Sequence, residues 1–93
     1  MMIVSQDKKQ ILNFNNIQNI RIEPYGTHEK GKKIYKIFAG NFEGYATKLG
    51  TYDTEERAKE VLQEIITRYA NWANMEVGQP SGICLPVYEM PKE

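Results

Sequence analysis

Between Asp53 and Ala73 the apolar residues Ala58, Val61, Leu62, Ile65, Ile66, Tyr69, Trp72 and Ala73 recur at steps of three and four, the repeat of one helix face. That stripe predicts an amphipathic helix over about 53–73, ending between Trp72 and Gly78, where Asn74 or Gly78 supplies the stop. Asp53 and Glu56 have the spacing of a capping box, and Thr54 is the alternative cap. Glu55 before Lys59 and Glu64 before Arg68 are acid–base pairs four residues apart, which support a helix by a few tenths of a kcal/mol each. Burying an aliphatic side chain is worth about 1.5–3 kcal/mol, so the apolar stripe decides the matter and a charge at Leu62 is expected to unfold the domain.

Ahead of the helix the period changes from three and four to two. Met2–Ser5 and Gln10–Phe14 are short β-prone runs joined by the polar turn Gln6-Asp7-Lys8-Lys9, a hairpin pattern. Asn15-Asn16 breaks the chain; Ile17–Glu23 then alternates, with Ile20 and Ile22 against Arg21 and Glu23, until Pro24 closes the strand or leaves it on a sheet edge. Residues 25–33 read as a glycine-rich hairpin tip, and Lys33–Ala39 as its return strand, with Tyr35, Ile37 and Ala39 on one face and Ile34, Lys36 and Phe38 on the other. Gly40–Gly44 turns the chain into Tyr45–Leu49. The expected architecture is therefore α+β: one antiparallel sheet of four or five strands, covered on one face by a single long C-terminal helix and followed by an extended apolar tail. Residues 1–77 form the domain in this reading, and 78–93 a linker and tail whose run from Ile83 to Met90 is too apolar to stay uncovered.

Composition narrows the functional classes. Ninety-three residues make one domain; one cysteine allows no internal disulfide; and the lack of a long apolar run points to a cytoplasmic protein without membrane contact. Twelve basic and twelve acidic side chains cancel overall, but residues 1–50 carry eight basic against four acidic and residues 51–93 the reverse. The balance of solvated turns and protected sheet edges explains most of that split, and a basic face for an anionic partner is the alternative.

The opening Met2-Ile3-Val4-Ser5-Gln6-Asp7 and the run Leu49-Gly50-Thr51-Tyr52-Asp53-Thr54-Glu55-Glu56-Arg57-Ala58, continuing through Val61-Leu62-Gln63-Glu64-Ile65, resemble small proteins of Firmicutes and their prophages. The likeness spans roughly residues 2 to 70 and implies a sheet followed by a helix. It implies no catalytic or ligand-binding residue.

Nothing in the chain assembles a catalytic constellation. His28 sits in a lysine-rich turn, and Cys84 lies among Ile83, Leu85 and Pro86 without a basic neighbour to activate it. One His and one Cys fall short of a zinc site, and no cofactor is expected. Gly26–Lys33 contains G-x-x-x-x-G-K, but Lys33 stands where Ser or Thr is needed and a strand follows instead of a helix, so it is no phosphate loop. The first expectation is a non-catalytic interaction module that meets another protein, or a second copy of itself, through Trp72, Ile83, Leu85, Val87 and Tyr88. The alternative is weak, salt-sensitive nucleic-acid binding through the turn at 26–36, with Lys30, Lys32, Lys33 and Lys36 on phosphates and Tyr25 as a stacking group.

Overall fold

The computed structural model describes residues 1–26, 33–76 and 87–93, with helix side chains described as far as Asn71. Strands β1 (Met2–Val4) and β2 (Ile11–Asn13) form the expected hairpin, with Ile3 opposite Leu12. Its turn is locked from within. Ser5 Oγ donates to Asp7 Oδ1 at 2.6 Å, the Lys9 N–H donates to the same oxygen at 3.0 Å, and the Gln10 N–H donates to Ser5 Oγ at 3.2 Å. The bond from Ser5 and then that from Lys9 hold the Asp7 carboxyl below the usual carboxylate range.

A 3-10 turn at Phe14–Asn16 occupies the predicted break, and the Asn13 side chain accepts from the Asn15 N–H at 3.0 Å. Beyond it β3 (Ile17–Gly26), β4 (Lys33–Asn41) and β5 (Ala46–Tyr52) make an antiparallel sheet in the order β3-β4-β5. Pro24 lies inside β3, which is tolerated because β3 is an edge strand. A bulge governs the far side of the sheet. Ile37 pairs with Gly50 and Phe38 with Lys48, so Leu49 is the extra residue. Strict alternation would turn Leu49 and Tyr52 to opposite faces; one inserted residue shifts the parity, and both are buried.

Helix α1 runs from Glu55 to Glu76. Thr54 caps it, accepting from the Arg57 N–H at its side-chain oxygen (3.1 Å) and from the Ala58 N–H at its carbonyl (3.1 Å); the expected Asp53–Glu56 box is thus replaced by the alternative cap. Glu55 and Lys59 pair as expected at 2.9 Å. Glu64 instead meets Arg57 at 3.5 Å, while the Arg68 guanidinium stands over the Tyr88 ring, 5.8 Å from its centroid. Of the predicted stripe, Ala58, Val61 and Ile65 are buried; Leu62 is half-buried, and Ile66 and Tyr69 are exposed. The helix makes its main contacts with β3, β4 and β5, and the Tyr69 ring stacks on Phe14 with centroids 4.5 Å apart.

One expectation is corrected outright: the strands do not form a single sheet of four or five. After Phe14–Asn16 the chain leaves the β1–β2 hairpin, and the free edge of β1 is filled from the other end of the sequence. Strand β6 (Val87–Glu89) lies parallel to β1, with Ile3 opposite Tyr88, so among the described residues two three-stranded sheets, β2-β1-β6 and β3-β4-β5, flank one helix. The helix is therefore not the last element, and residues 87–93 belong to the same core as 1–76. Met1, Ile3, Ile37, Ala39, Leu49, Tyr52, Ala58, Val61, Ile65, Tyr88 and Met90 form one buried cluster.

Gln6 stitches the two sheets. Its N–H donates to Leu49 O at 2.7 Å, its Oε1 accepts from the Thr51 N–H at 2.9 Å, and its Nε2 donates to Thr51 O, Pro91 O and Lys92 O at 3.0, 3.1 and 2.8 Å. Two amide hydrogens serve three carbonyls, so one of these bonds is shared. Gly50 gives this approach its room: a Cβ there would sit 3.0 Å from the Tyr52 hydroxyl and 3.3 Å from Gln6 Cβ.

Adjacent helix positions give the first test. Ile65→Ala, at 1 % exposure, is expected to cost about 2–5 kcal/mol, whereas Ile66→Ala, at 52 %, should stay within about 0.5 kcal/mol, both read from urea midpoints. Equal losses would mean that the buried line has been misplaced.

The two buried tyrosines give the second. The Tyr52 hydroxyl donates to Pro91 O at 2.9 Å; the Tyr88 hydroxyl makes no hydrogen bond among the described residues. Burial pushes the Tyr52 phenol up to about 12. Burial, then the Glu64 carboxylate, raises Tyr88 as well; Glu64 stands near enough to act through its charge but outside hydrogen-bond geometry. With folded values above the unfolded value of about 10, the neutral phenols contribute stability that is complete below about pH 10 and is lost as pH climbs toward 12. Tyr88→Phe removes an unsatisfied buried group and should stabilise by up to about 1–3 kcal/mol and move alkaline unfolding to higher pH. Tyr52→Phe should instead cost about 0.5–1.5 kcal/mol at neutral pH.

Candidate functional site

Helix α1 lies on the face of β3-β4-β5 that carries Ile37, Ala39, Leu49 and Tyr52, so the even-numbered residues of β4 point the other way. Register places Tyr25 beside Ile34, Glu23 beside Lys36, Arg21 beside Phe38 and Asn19 beside Gly40. On the third strand Lys48 stands opposite Phe38, and Ala46 opposite Gly40. None of these side chains is buried, and no described element packs across them. The result is an open sheet face that carries three cations, one carboxylate and two aromatic rings.

Cations and rings are interleaved on it. Lys36 Nζ stands 4.4 Å from the Tyr25 ring centroid, and the Arg21 guanidinium carbon 5.6 Å from that of Phe38. The two rings lie 6.1 Å apart at 43°. Arg21 also bonds Glu23 through Nε at 3.0 Å and Asn19 Oδ1 through Nη1 at 3.2 Å. Lys36 and Lys48 have no salt bridge to any described residue, so two of the three positive charges are left for an anion. Glu23 is the acid on this face, and the Lys48 charge also reaches Asp7; Glu55, Glu56, Glu60 and Glu64 are on α1, behind the sheet, beside Arg57, Lys59 and Arg68.

Of the residues expected to touch nucleic acid, Tyr25 and Lys36 meet on this face, Lys33 is exposed at the start of β4, and Lys30 and Lys32 lie outside the described residues. Arg21, Phe38 and Lys48 were missed by a reading that looked at the turn. The signal was the strand alternation itself, because pairing 21–25 against 34–38 with the aliphatic faces matched puts Arg21 on Phe38.

Of the residues expected at a protein interface, Val87 and Tyr88 are described. Ile83 and Leu85 lie outside the described residues, as do Cys84, His28 and the side chain of Trp72. Tyr88 is core, 4 % exposed, because its place opposite Ile3 turns it inward. Val87 points outward at 50 % exposure and shares the outer face of the small sheet with Met2, Val4 and Ile11. No described helix is long and apolar enough to cross a membrane.

Comparison with protein-family models, curated proteins and solved structures gives no match, so the assignment of this surface rests on its chemistry.

Proposed function

We propose that this protein is a non-catalytic nucleic-acid-binding module and that the open face of β3-β4-β5 is its binding surface. The observation that carries the reading is the pairing of cations with aromatic rings on one uncovered sheet: Lys36 on Tyr25, Arg21, which is also bonded to Glu23, on Phe38, and Lys48 beside them. A polyanion with flat bases satisfies both kinds of group. Phosphates take the cations, and bases replace them on the ring faces. An acidic protein surface would use the cations but leave the rings without a partner of matching shape. Of the lysine-rich stretch at 26–36, Lys36 belongs to this face.

A second reading concerns the small sheet. Met2, Val4, Ile11 and Val87 form an outward aliphatic face with Ile11 at 66 % and Val87 at 50 % exposure, and a protein partner or a second copy of this chain would cover such a patch. The two surfaces are on different sheets and do not compete.

The test is binding of fluorescent oligonucleotides to the full chain at low salt, followed by a salt titration. Arg21→Ser with Lys36→Ser and Lys48→Ser should abolish binding without lowering the melting temperature, and each cation lost should flatten the log–log salt slope by about 0.7 on a single strand. Lys30→Ser with Lys32→Ser and Lys33→Ser should weaken binding less. If the parent protein binds no oligonucleotide at low salt, the reading is wrong.

A further inference from the structure

The β4–β5 hairpin ends in two aromatic side chains that the core does not use. Phe42 and Tyr45 are each 70 % exposed, the largest exposures of any big apolar residue in the described chain. Their turn is nevertheless tightly held. Asn41 Oδ1 accepts from the Glu43 N–H at 3.0 Å and the Tyr45 N–H at 2.9 Å, the Asn41 N–H donates to Tyr45 O at 2.9 Å, and Gly44 takes the left-handed φ of 93° that closes the loop. Two rings on a rigid turn lose little freedom when they bind, which favours a recognition role over an accident of sequence.

Their position relative to the open face matters more. Phe42 follows Phe38 by four residues, about 13 Å along an extended strand, and the ground between them is low. Gly40 and Ala46 are its floor. The Asn19 side chain lies across Gly40, where a Cβ would come within 2.9 Å of its oxygen. Arg21 donates to that oxygen at 3.2 Å. Tyr25, Phe38, the Asn19 floor and Phe42, which keeps the even parity of the open face, run in order along β4 with Lys36, Arg21 and Lys48 beside them, whereas Tyr45, next to Ala46 and opposite Asn41, alternates to the other side of the tip.

Resting on the reading above, the geometry points to a single-stranded nucleic acid as the ligand, laid along β4 with bases stacked first on Tyr25 and Phe38 and then on Phe42 at the tip. In a duplex the base faces are covered by their neighbours and only base edges reach a protein, so three aromatic rings would have nothing to stack on. An unpaired strand offers a ring face at every nucleotide. Stacking is indifferent to the sugar, and both DNA and RNA strands should bind.

The experiment uses fluorescence polarisation of the full-length protein with three labelled probes of equal length: oligo-dT, oligo-U and a mixed-sequence duplex. Single strands are expected to bind at least tenfold more tightly than the duplex. Phe42→Ala should weaken oligo-dT and oligo-U binding by about five- to a hundredfold while the salt slope stays unchanged, because a ring and not a charge is lost. Phe42→Tyr, which keeps the ring, and Tyr45→Ala, on the other side of the tip, should both bind like the parent, and an unchanged melting temperature shows that the Phe42→Ala variant is folded. Duplex binding as tight as single-strand binding, or full affinity in the Phe42→Ala variant, overturns the single-strand inference while leaving the charged face standing. Absence of binding to every probe at low salt overturns the face as well.

Discussion

The line of Ala58, Val61 and Ile65 along α1 is the contact on which the rest of the domain depends. Neither sheet is wide enough to bury its own apolar face. Three strands of β3-β4-β5 present Ile37, Ala39, Leu49 and Tyr52 to the helix, and the small sheet adds Ile3 and Tyr88 to the same cluster. Removing the helix would expose all of these at once, and that dependence makes the two sheets one domain.

Burial alone does not set where the sheets meet. Gln6 does so, because its carboxamide and backbone together bond β5 at Leu49 and Thr51 and the C-terminal segment at Pro91 and Lys92. A polar side chain chosen for geometry, half-buried and fully used, gives direction to a core that apolar contacts leave free to slide. The same junction explains why β6 pairs with β1: Tyr52 and Gln6 both hold the segment that follows it.

A helix that covers one face of a three-stranded sheet leaves the other to solvent, and in most small domains that face is plainly polar. Here it carries Tyr25 and Phe38 under Lys36 and Arg21, and its hairpin tip carries Phe42 and Tyr45. Glu23 is the acid on that face, and the acids of α1 lie behind the sheet beside Arg57, Lys59 and Arg68.

Local patterns carried much of this in the sequence. The three-four repeat after Asp53, the alternation around Ile20 and Ile22, the Asp7 turn and the Asn15-Asn16 break each depend on neighbours a few residues away, and a linear chain displays such relations directly. What it does not display is pairing across long separations. That Val87–Glu89 lies against Met2–Val4 and divides the strands into two sheets depends on contacts some 85 residues apart, formed only once the helix has brought both ends to one core. The bulge at Leu49 was hidden for a similar reason, since an inserted residue is visible only against the strand it fails to match. The open face belongs to the same class. Arg21, Phe38 and Lys48 come from three strands and become one surface only through register, whereas the turn lysines, adjacent in sequence, drew attention because they were adjacent.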